Sequence, residues 1–352
     1  MNRSRGNFGL SAGLSVLLCA ALGVMPAFAG PVALGPAGDF NIFVFGDDTQ
    51  GNSDTEGRVA VGGNAFFSAS GWTIGTQASG STTNLIVGGS LSNQFNTVRG
   101  NVLVNGNVSW TGPTIQGSLA VNGNASFGNS GGQINGPVDV FGTYSAPNYF
   151  PSNQNPATVT PLPFNFASVK TQLQNESNYL ASLTPNGTTA INFQAVSLTA
   201  TGPQGLYVFD VTGAQLAAAA NHGLSISAPS GSTVVVNVDG TADSFQSMGI
   251  SLAGVDNQHV LYNFSQATSL TVNQIGIEGT ILAPNAAVNF AGGQINGSLI
   301  AQSVTGQGES HLHLFVGNLP VNPIPEPSTF VLAACGLAAF AGIKAYRRRA
   351  GK

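Results

Sequence analysis

Five short segments between residues 59 and 142 have apolar residues at their two outer positions, and glycine follows each segment two positions later. The closing glycines are residues 63, 89, 106, 123 and 142, so the pattern recurs after 26, 17, 17 and 19 residues. In a strand, the two outer residues of an apolar triplet face the same way. We therefore predict a mainly β fold, a β-solenoid, in which these residues stack inside and glycine forms each corner. The triplets are 59–61, 85–87, 102–104, 119–121 and 138–140.

Asparagine follows three of these corners, as Asn64, Asn107 and Asn124. Residues at equivalent positions of successive coils lie side by side. The spacing predicts a ladder of side-chain amides along one edge of the solenoid.

The hexapeptide Gly-Gly-Gln-Ile-Asn-Gly occurs at 131–136 and again at 292–297. This return predicts that late coils dock on early ones, and that 150–275 is an excursion from the stack. The excursion contains an amphipathic helix, which we expect to cap or flank the solenoid and to cover an open edge. Its apolar residues are Phe166, Val169, Leu173, Leu180 and Leu183.

Both ends of the chain carry apolar runs that are not part of this fold. Residues 1–29 combine basic residues, an apolar stretch and an Ala-x-Ala site, which predicts a secretory signal peptide. A second apolar run, 330–343, precedes three arginines and predicts a C-terminal transmembrane helix with a cytoplasmic stop. The solenoid domain is accordingly expected over 30–319 and the tail over 320–352.

Charge and cysteine content restrict the exported region. Between Asp39 and Glu326 lie only three basic residues, Arg58, Arg99 and Lys170, together with all fourteen acidic residues, so the net charge of this stretch is 3 − 14 = −11. Such a surface disfavours nucleic acid and anionic lipid but tolerates cations and neutral polymers. Both cysteines lie in the end segments, which excludes disulfides and thiol nucleophiles from the exported part.

Two clusters of potential metal ligands occur. The first lies in a polar loop, where oxygen ligands suit Ca²⁺; its alternative is a solvated acidic turn. The second alternates along a predicted strand and suits a transition metal; its alternative is a polar outer face. No other cofactor is expected. The first cluster is Asp47, Asp48, Asp54 and Glu56, and the second is Glu309, His311 and His313.

The chain has no nucleophile elbow and no phosphate loop, so we do not expect an enzyme. The alternative is a polysaccharide-active enzyme in which Glu56 and Glu278 stack, because both occupy the same repeat position. A glycosidase pair requires carboxyl groups about 5–9.5 Å apart. Ice binding requires regular outward threonine arrays, and the expected outward residues argue against it. These residues are Ala60, Leu103, Ala120 and Asp139.

The tail is similar to a PEP-CTERM sorting signal. A Pro-Glu-Pro motif precedes the apolar run, and an arginine cluster follows it. This resemblance implies processing by an exosortase in a Gram-negative bacterium that makes exopolysaccharide, with initial anchoring in the inner membrane. The residues that carry it are Pro325, Glu326, Pro327, Arg347, Arg348 and Arg349.

The body of the chain resembles the choice-of-anchor A domain over roughly 33–319. The matching stretches are 40–46, 53–64, 278–286 and 294–301, although Glu309-Ser-His-Leu-His313 departs from the commoner adjacent histidine pair. The resemblance implies an adhesive, β-helix-like module without established catalytic residues. The expected function is therefore adhesion, or association with extracellular polysaccharide or another surface ligand, at the cell surface or in the matrix.

Overall fold

The computed structural model describes residues 34–68, 72–79, 82–128, 131–147, 154–155 and 159–320. The predicted signal peptide and the sorting motif with its apolar run lie outside these residues. Among the described residues, neither helix has the length and hydrophobicity that a bilayer-spanning segment requires.

Three faces of mainly parallel strands surround one apolar core, as the solenoid prediction requires. Most coils contribute one strand to each face. We call the first face the covered face, because the helix Phe166–Ser182 packs on it. Its strands are Gln154–Asn155, Val138–Val140, Leu119–Val121, Asn101–Val104, Thr83–Val87, Val59–Val61, Ile42–Val44, the first parts of Leu299–Gly306 and Thr280–Phe290, Val260–Asn263, Thr233–Asp239 and Leu206–Thr212.

The second face, which we call the serine–threonine face, follows one corner later in each coil. Thr280–Phe290 and Leu299–Gly306 bend at this corner and so belong to both faces. The other strands of this face are Tyr144–Ser145, Ala125–Gly128, Val108–Thr111, Leu91–Gln94, Ala65–Phe67, Asp48–Gln50, Ser269–Asn273 and Ala242–Gln246.

The third face is built from shorter strands, with Thr55 bridging its two halves. One antiparallel hairpin lies at its far end. Its strands are Gln133–Ile134, Thr114–Ile115, Thr97–Val98, Thr73–Ile74, Glu309–His311, Gly293–Asn296, Ile275–Glu278, Ile250–Ala253, Leu224–Ser227, Ala195–Thr199 and Thr188–Asn192.

The chain enters the stack in its middle. Ile42–Val44 pairs with Val59–Val61 on one side and with 299–301 on the other, so the last coil docks on the first. This confirms the docking inferred from the repeated hexapeptide. The extent predicted for the excursion, 150–275, is wrong, because the strands from Leu206 onward pair in parallel within the same stack.

The helix Phe166–Ser182 flanks the solenoid along the covered face. Asn165 caps it, and its Oδ1 accepts a hydrogen bond from the Ser168 backbone N–H at 3.0 Å. The buried residues Val169, Leu173 and Leu180 belong to the apolar cluster that seals the outer side of this face. The predicted helix is thus confirmed as a flanking element, although it covers a sheet face and not an edge.

A second helix, Gly213–Ala218, replaces the serine–threonine strand in the coil that begins at Leu206. Thr212 and Gln215 form a reciprocal capping box at its start. Leu216 is buried in the main core, so this helix packs at one end of the stack. Two short 3₁₀ helices complete the structure, Gly35–Asp39 and Asn257–His259.

The predicted ladder runs along the corner between the covered and serine–threonine faces. Each rung is a side-chain oxygen that accepts the backbone N–H of the next coil, so the ladder is confirmed with side-chain-to-backbone bonds as its rungs. The distances are Asp47 Oδ1 to Asn64 N 2.7 Å, Asn64 Oδ1 to Ser90 N 2.9 Å, Ser90 Oγ to Asn107 N 3.1 Å, Asn107 Oδ1 to Asn124 N 2.8 Å and Asn124 Oδ1 to Thr143 N 2.8 Å.

The core changes character where the first and last coils meet. In the strands of the third face on either side of this junction the stacked inner residues are isoleucine or valine, but at the junction they are Thr55 and Ser310. Asp48 and Gln50 also point inward from the same coil, and all four residues are at most 1% exposed. A polar layer, Asp48–Gln50–Thr55–Ser310, therefore interrupts the apolar interior at the junction.

Candidate functional site

The serine–threonine face presents one continuous outward row of side chains across its strands. Alternation places these residues outward, and strand pairing sets them side by side at a spacing of about 4.8 Å. With one exception the row carries only hydroxyl and amide groups. In stack order it is Ser244, Thr271, Asn289, Thr305, Thr49, Phe66, Ser92, Ser109, Ser126 and Ser145.

Apart from Ser244, whose hydroxyl is buried, this row is open to solvent, whereas the covered face is not. Ser109, Ser126 and Thr305 are exposed, while Leu282 and Ile300 on the covered face are fully buried under the flanking helix. No outward residue within the strands of the serine–threonine face is charged. The face therefore offers neutral hydrogen-bonding groups on a rigid sheet.

A depression of about 330 Å³ lies on this face beside Phe66. Phe66 is 43% exposed and stands between Thr49 and Ser92 in the row. Ser92 and Ser109 line the opposite side of the depression. No hydrogen bond to another described residue engages either hydroxyl. An aromatic ring and two available hydroxyl groups thus border one shallow site.

The residues expected to face outward, which spoke against ice binding, lie on the covered face and not on the open one. Ala60, Leu103, Ala120 and Asp139 all lie in strands of the covered face, and Ala60 and Leu103 are buried. The true outward rows follow the corner glycines, in segments too short to be recognised as strands. The signal that could have revealed them is the segment after each corner asparagine, which reads Ala-Phe-Phe after Asn64, Val-Ser-Trp after Asn107 and Ala-Ser-Phe after Asn124.

The four carboxylates of the predicted calcium site do not converge. Asp48 points into the core, and Asp47 is a rung of the corner ladder. Asp54 and Glu56 flank Thr55 on the third face, where Asp54 Oδ1 accepts the Thr73 N–H at 2.8 Å and Glu56 Oε2 accepts the Leu312 N–H at 2.8 Å. Strand alternation and the intervening corner separate groups that are close in sequence.

Burial shifts the pKa of the Asp48 carboxyl group. Desolvation raises the pKa of its carboxyl to about 7, although a hydrogen bond from Gln50 partly opposes the shift. Gln50 Nε2 donates to Asp48 Oδ1 at 2.8 Å. Asp48 Oδ2, Gln50 Oε1, Thr55 Oγ1 and Ser310 Oγ have no hydrogen-bond partner among the described residues.

The second predicted metal cluster forms a hydrogen-bond network. His311 Nδ1 donates to Asn296 Oδ1 at 2.7 Å, and His311 Nε2 lies 3.3 Å from Glu309 Oε1. His313 lies beyond the end of the strand, so the expected three-residue face is not formed. No group of three or more histidine, cysteine, aspartate or glutamate side chains in the described part of the chain could hold a metal ion.

The stacked pair proposed for the enzyme alternative is too widely spaced. Along the outer row of the third face the order is Glu278, Asn296, His311 and then Glu56. Three strand spacings put the two glutamates about 14 Å apart. The Glu278 carboxylate is also engaged by Asn296, whose Nδ2 donates a hydrogen bond to Glu278 Oε1 at 2.7 Å. This geometry does not fit the glycosidase pair.

These features define a class of protein: a parallel β-solenoid with one helix-covered face and one open, uncharged face of hydroxyl and amide groups. Residues 33–312 match the family described as "Putative Ice-binding-like adhesive domain", and the chain belongs to that family. The family agrees with the adhesive module that the resemblance to choice-of-anchor A implied. No curated protein is detectably similar in sequence.

Several solved structures are similar to this chain at low identity. An ice-binding protein from an Antarctic biological consortium is 13% identical, covering 82% of this chain and 94% of that one, with a TM-score of 0.34. The DUF3494 domain of Shewanella frigidimarina ice-binding protein 1 is 17% identical over 81% and 97%, with a TM-score of 0.33. An ice-binding protein from the Antarctic ascomycete Antarctomyces psychrotrophicus is 15% identical over 81% and 98%, with a TM-score of 0.31.

Proposed function

We propose that this chain is a surface-associated adhesive module that binds extracellular polysaccharide through its serine–threonine face. The observation that carries the proposal is the uncharged outward row of hydroxyl and amide groups across the stacked strands. Polysaccharides present hydroxyl groups at regular intervals. A long row of matching donors and acceptors forms many weak contacts to one polymer at once, which raises avidity.

Rigidity supports the same function. The strands of the face are held by ladder hydrogen bonds on both sides, and the corner asparagines fix the turns that precede them. A surface that is already ordered loses little conformational entropy when a ligand binds. The −11 charge of the exported region lies outside the strands' outward row, which favours a neutral polymer over an anionic one.

Export and anchoring belong to the same proposal. The signal peptide expected over 1–29 would direct the chain out of the cytoplasm. The tail, with Pro325, Glu326 and Pro327 followed by an apolar run and arginines, would hold it in the inner membrane until an exosortase acts. The mature protein would then act at the cell surface or in the matrix of a Gram-negative bacterium, as a binding protein and not as an enzyme.

Ice is a second candidate ligand. The family description includes ice-binding-like proteins, and the row brings Thr271, Thr305 and Thr49 to regular strand positions on an open face. Phe66 and the serines interrupt what would otherwise be a threonine array. We therefore rank polysaccharide first.

One pair of variants tests the face. Ser126→Lys places a bulky charge in the middle of the row, and Thr188→Lys places the same charge on an exposed strand of the third face. We expect gels containing a neutral glucan to retard the wild type and Thr188→Lys, and to retard Ser126→Lys much less. Ice recrystallisation is measured on the same three proteins.

Two results would contradict the polysaccharide proposal. The first is equal retardation of Ser126→Lys and Thr188→Lys, which would place binding elsewhere. The second is arrest of ice recrystallisation by the wild type without retardation in any polysaccharide gel, which would favour ice.

A further inference from the structure

Phe66 is the exception in an otherwise polar row. Its strand, Ala65–Phe67, buries Ala65 and Phe67 in the core and leaves the Phe66 ring 43% exposed. The ring does not stack on any other aromatic ring of the described residues. Nothing in the packing of the fold therefore requires an aromatic side chain at this position.

The surroundings of Phe66 have the size and the lining of a ligand-binding site. The depression of about 330 Å³ beside it falls in the range of about 300–1,000 Å³ that small-ligand sites occupy. Such sites combine apolar surface with a few fixed polar groups. Here the apolar surface is the Phe66 ring, and the polar groups are the hydroxyls of Ser92 and Ser109 in the next two strands.

The border of the depression is held in place. Asn64 Oδ1 accepts the Ser90 N–H at 2.9 Å, and Ser90 Oγ accepts the Asn107 N–H at 3.1 Å. Asn64, Ser90 and Asn107 all line the depression, so its edge is the corner ladder itself. A ligand would meet a preformed shape.

We propose that Phe66, Ser92 and Ser109 form a subsite for one pyranose ring of a neutral polysaccharide. The apolar C–H face of the sugar stacks on Phe66, while its hydroxyls bond to the two serines. This inference rests on the proposed function, and it assigns the subsite that fixes where the polymer lies along the row. An anionic sugar is disfavoured, because no cationic side chain borders the depression.

The test uses the full chain in affinity electrophoresis, with a neutral β-glucan as the probe and a polyuronate as the charged comparison. Phe66→Leu keeps an apolar side chain but removes the ring, and Phe66→Trp keeps a ring. Phe141→Leu is the matched control, because Phe141 is also exposed, at 57%, but lies outside the row. Ser109→Ala removes one hydroxyl.

We expect Phe66→Leu to bind the glucan about tenfold more weakly, and Ser109→Ala about fivefold more weakly. Phe66→Trp and Phe141→Leu should bind like the wild type, and the polyuronate should retard none of the proteins. Wild-type glucan binding that Phe66→Leu leaves unchanged would overturn the subsite while the proposed function stands. Absence of glucan binding by the wild type would overturn both, and preference for the polyuronate would overturn the neutral ligand.

Discussion

The polar layer at the junction of the first and last coils predicts that Asp48 makes the protein less stable as pH rises. Asp48 is fully buried, and burial raises the pKa of its carboxyl from 3.8 to about 7. Below about pH 4 the carboxyl is protonated in both the folded and unfolded chains, so it has no effect. Between about pH 4 and 7 the unfolded chain ionises while the folded chain holds its proton, so the free energy of unfolding falls.

The size of the effect follows from the shift. A rise of about three pKa units, at about 1.36 kcal/mol per unit, corresponds to about 4 kcal/mol lost by neutral pH. Asp48→Asn removes the ionisation and keeps the contact with Gln50, because the asparagine carbonyl can accept the same N–H. We expect the variant and the wild type to be equally stable near pH 4, and the variant to be more stable by about 4 kcal/mol at pH 8.

Urea unfolding at several pH values measures this difference directly. Comparing the two proteins at each pH removes the contribution of other titrating groups from the difference. Glu176 is one such group, because burial also raises the pKa of its carboxyl to about 7 and lowers the free energy of unfolding in the same direction. Glu176→Gln is the matched control: it should change the pH dependence by its own share and leave the effect of Asp48→Asn intact. A stability difference between wild type and Asp48→Asn that does not vary with pH would refute the reasoning.

Two further predictions concern packing. Leu173→Ala, in the fully buried side of the flanking helix, should lower the free energy of unfolding by about 2–5 kcal/mol in thermal or urea unfolding, because it leaves a cavity between the helix and the covered face. Trp110→Phe should cost less than about 1.5 kcal/mol, although Trp110 is 1% exposed, because its indole N–H has no partner among the described residues and phenylalanine removes that unpaired donor. A cost of several kcal/mol for Trp110→Phe would contradict this expectation, because the cavity left by the smaller ring would then outweigh the removal of the unpaired donor.

The early coils could be predicted from sequence because their repeat is local. The outer residues of triplets such as 119–121 point inward, and the glycine corners and ladder follow at nearly constant spacing. The late coils could not be predicted in this way. Leu206 pairs with Thr233, 27 residues later, whereas Ile281 pairs with Leu299, 18 residues later, so no fixed period marks them as members of the stack.

The candidate site was harder to predict than the fold for a different reason. Its residues are single serines and threonines in strands as short as Asp48–Gln50, and alternation alone does not say which outward row is open. That depends on where the flanking helix packs, which is a contact between residues distant in sequence. The carboxylates near residue 50 are clustered in sequence like metal ligands, yet one faces the core and the others accept hydrogen bonds from backbone N–H groups.

The covered face and the serine–threonine face differ in whether their outward side chains can remain in water. Residues such as Leu282 and Ile300 give the covered face an apolar outer side, which would be a large exposed patch without the helix. The serine–threonine face needs no such cover, because its outward residues are polar and its strands are paired on both sides. The helix therefore seals the one face that cannot remain in water and leaves the neighbouring face free. A solenoid arranged in this way leaves a long, uncharged row of hydroxyl and amide groups open to water, interrupted by the exposed ring of Phe66, and this is the surface that we propose binds a neutral polymer.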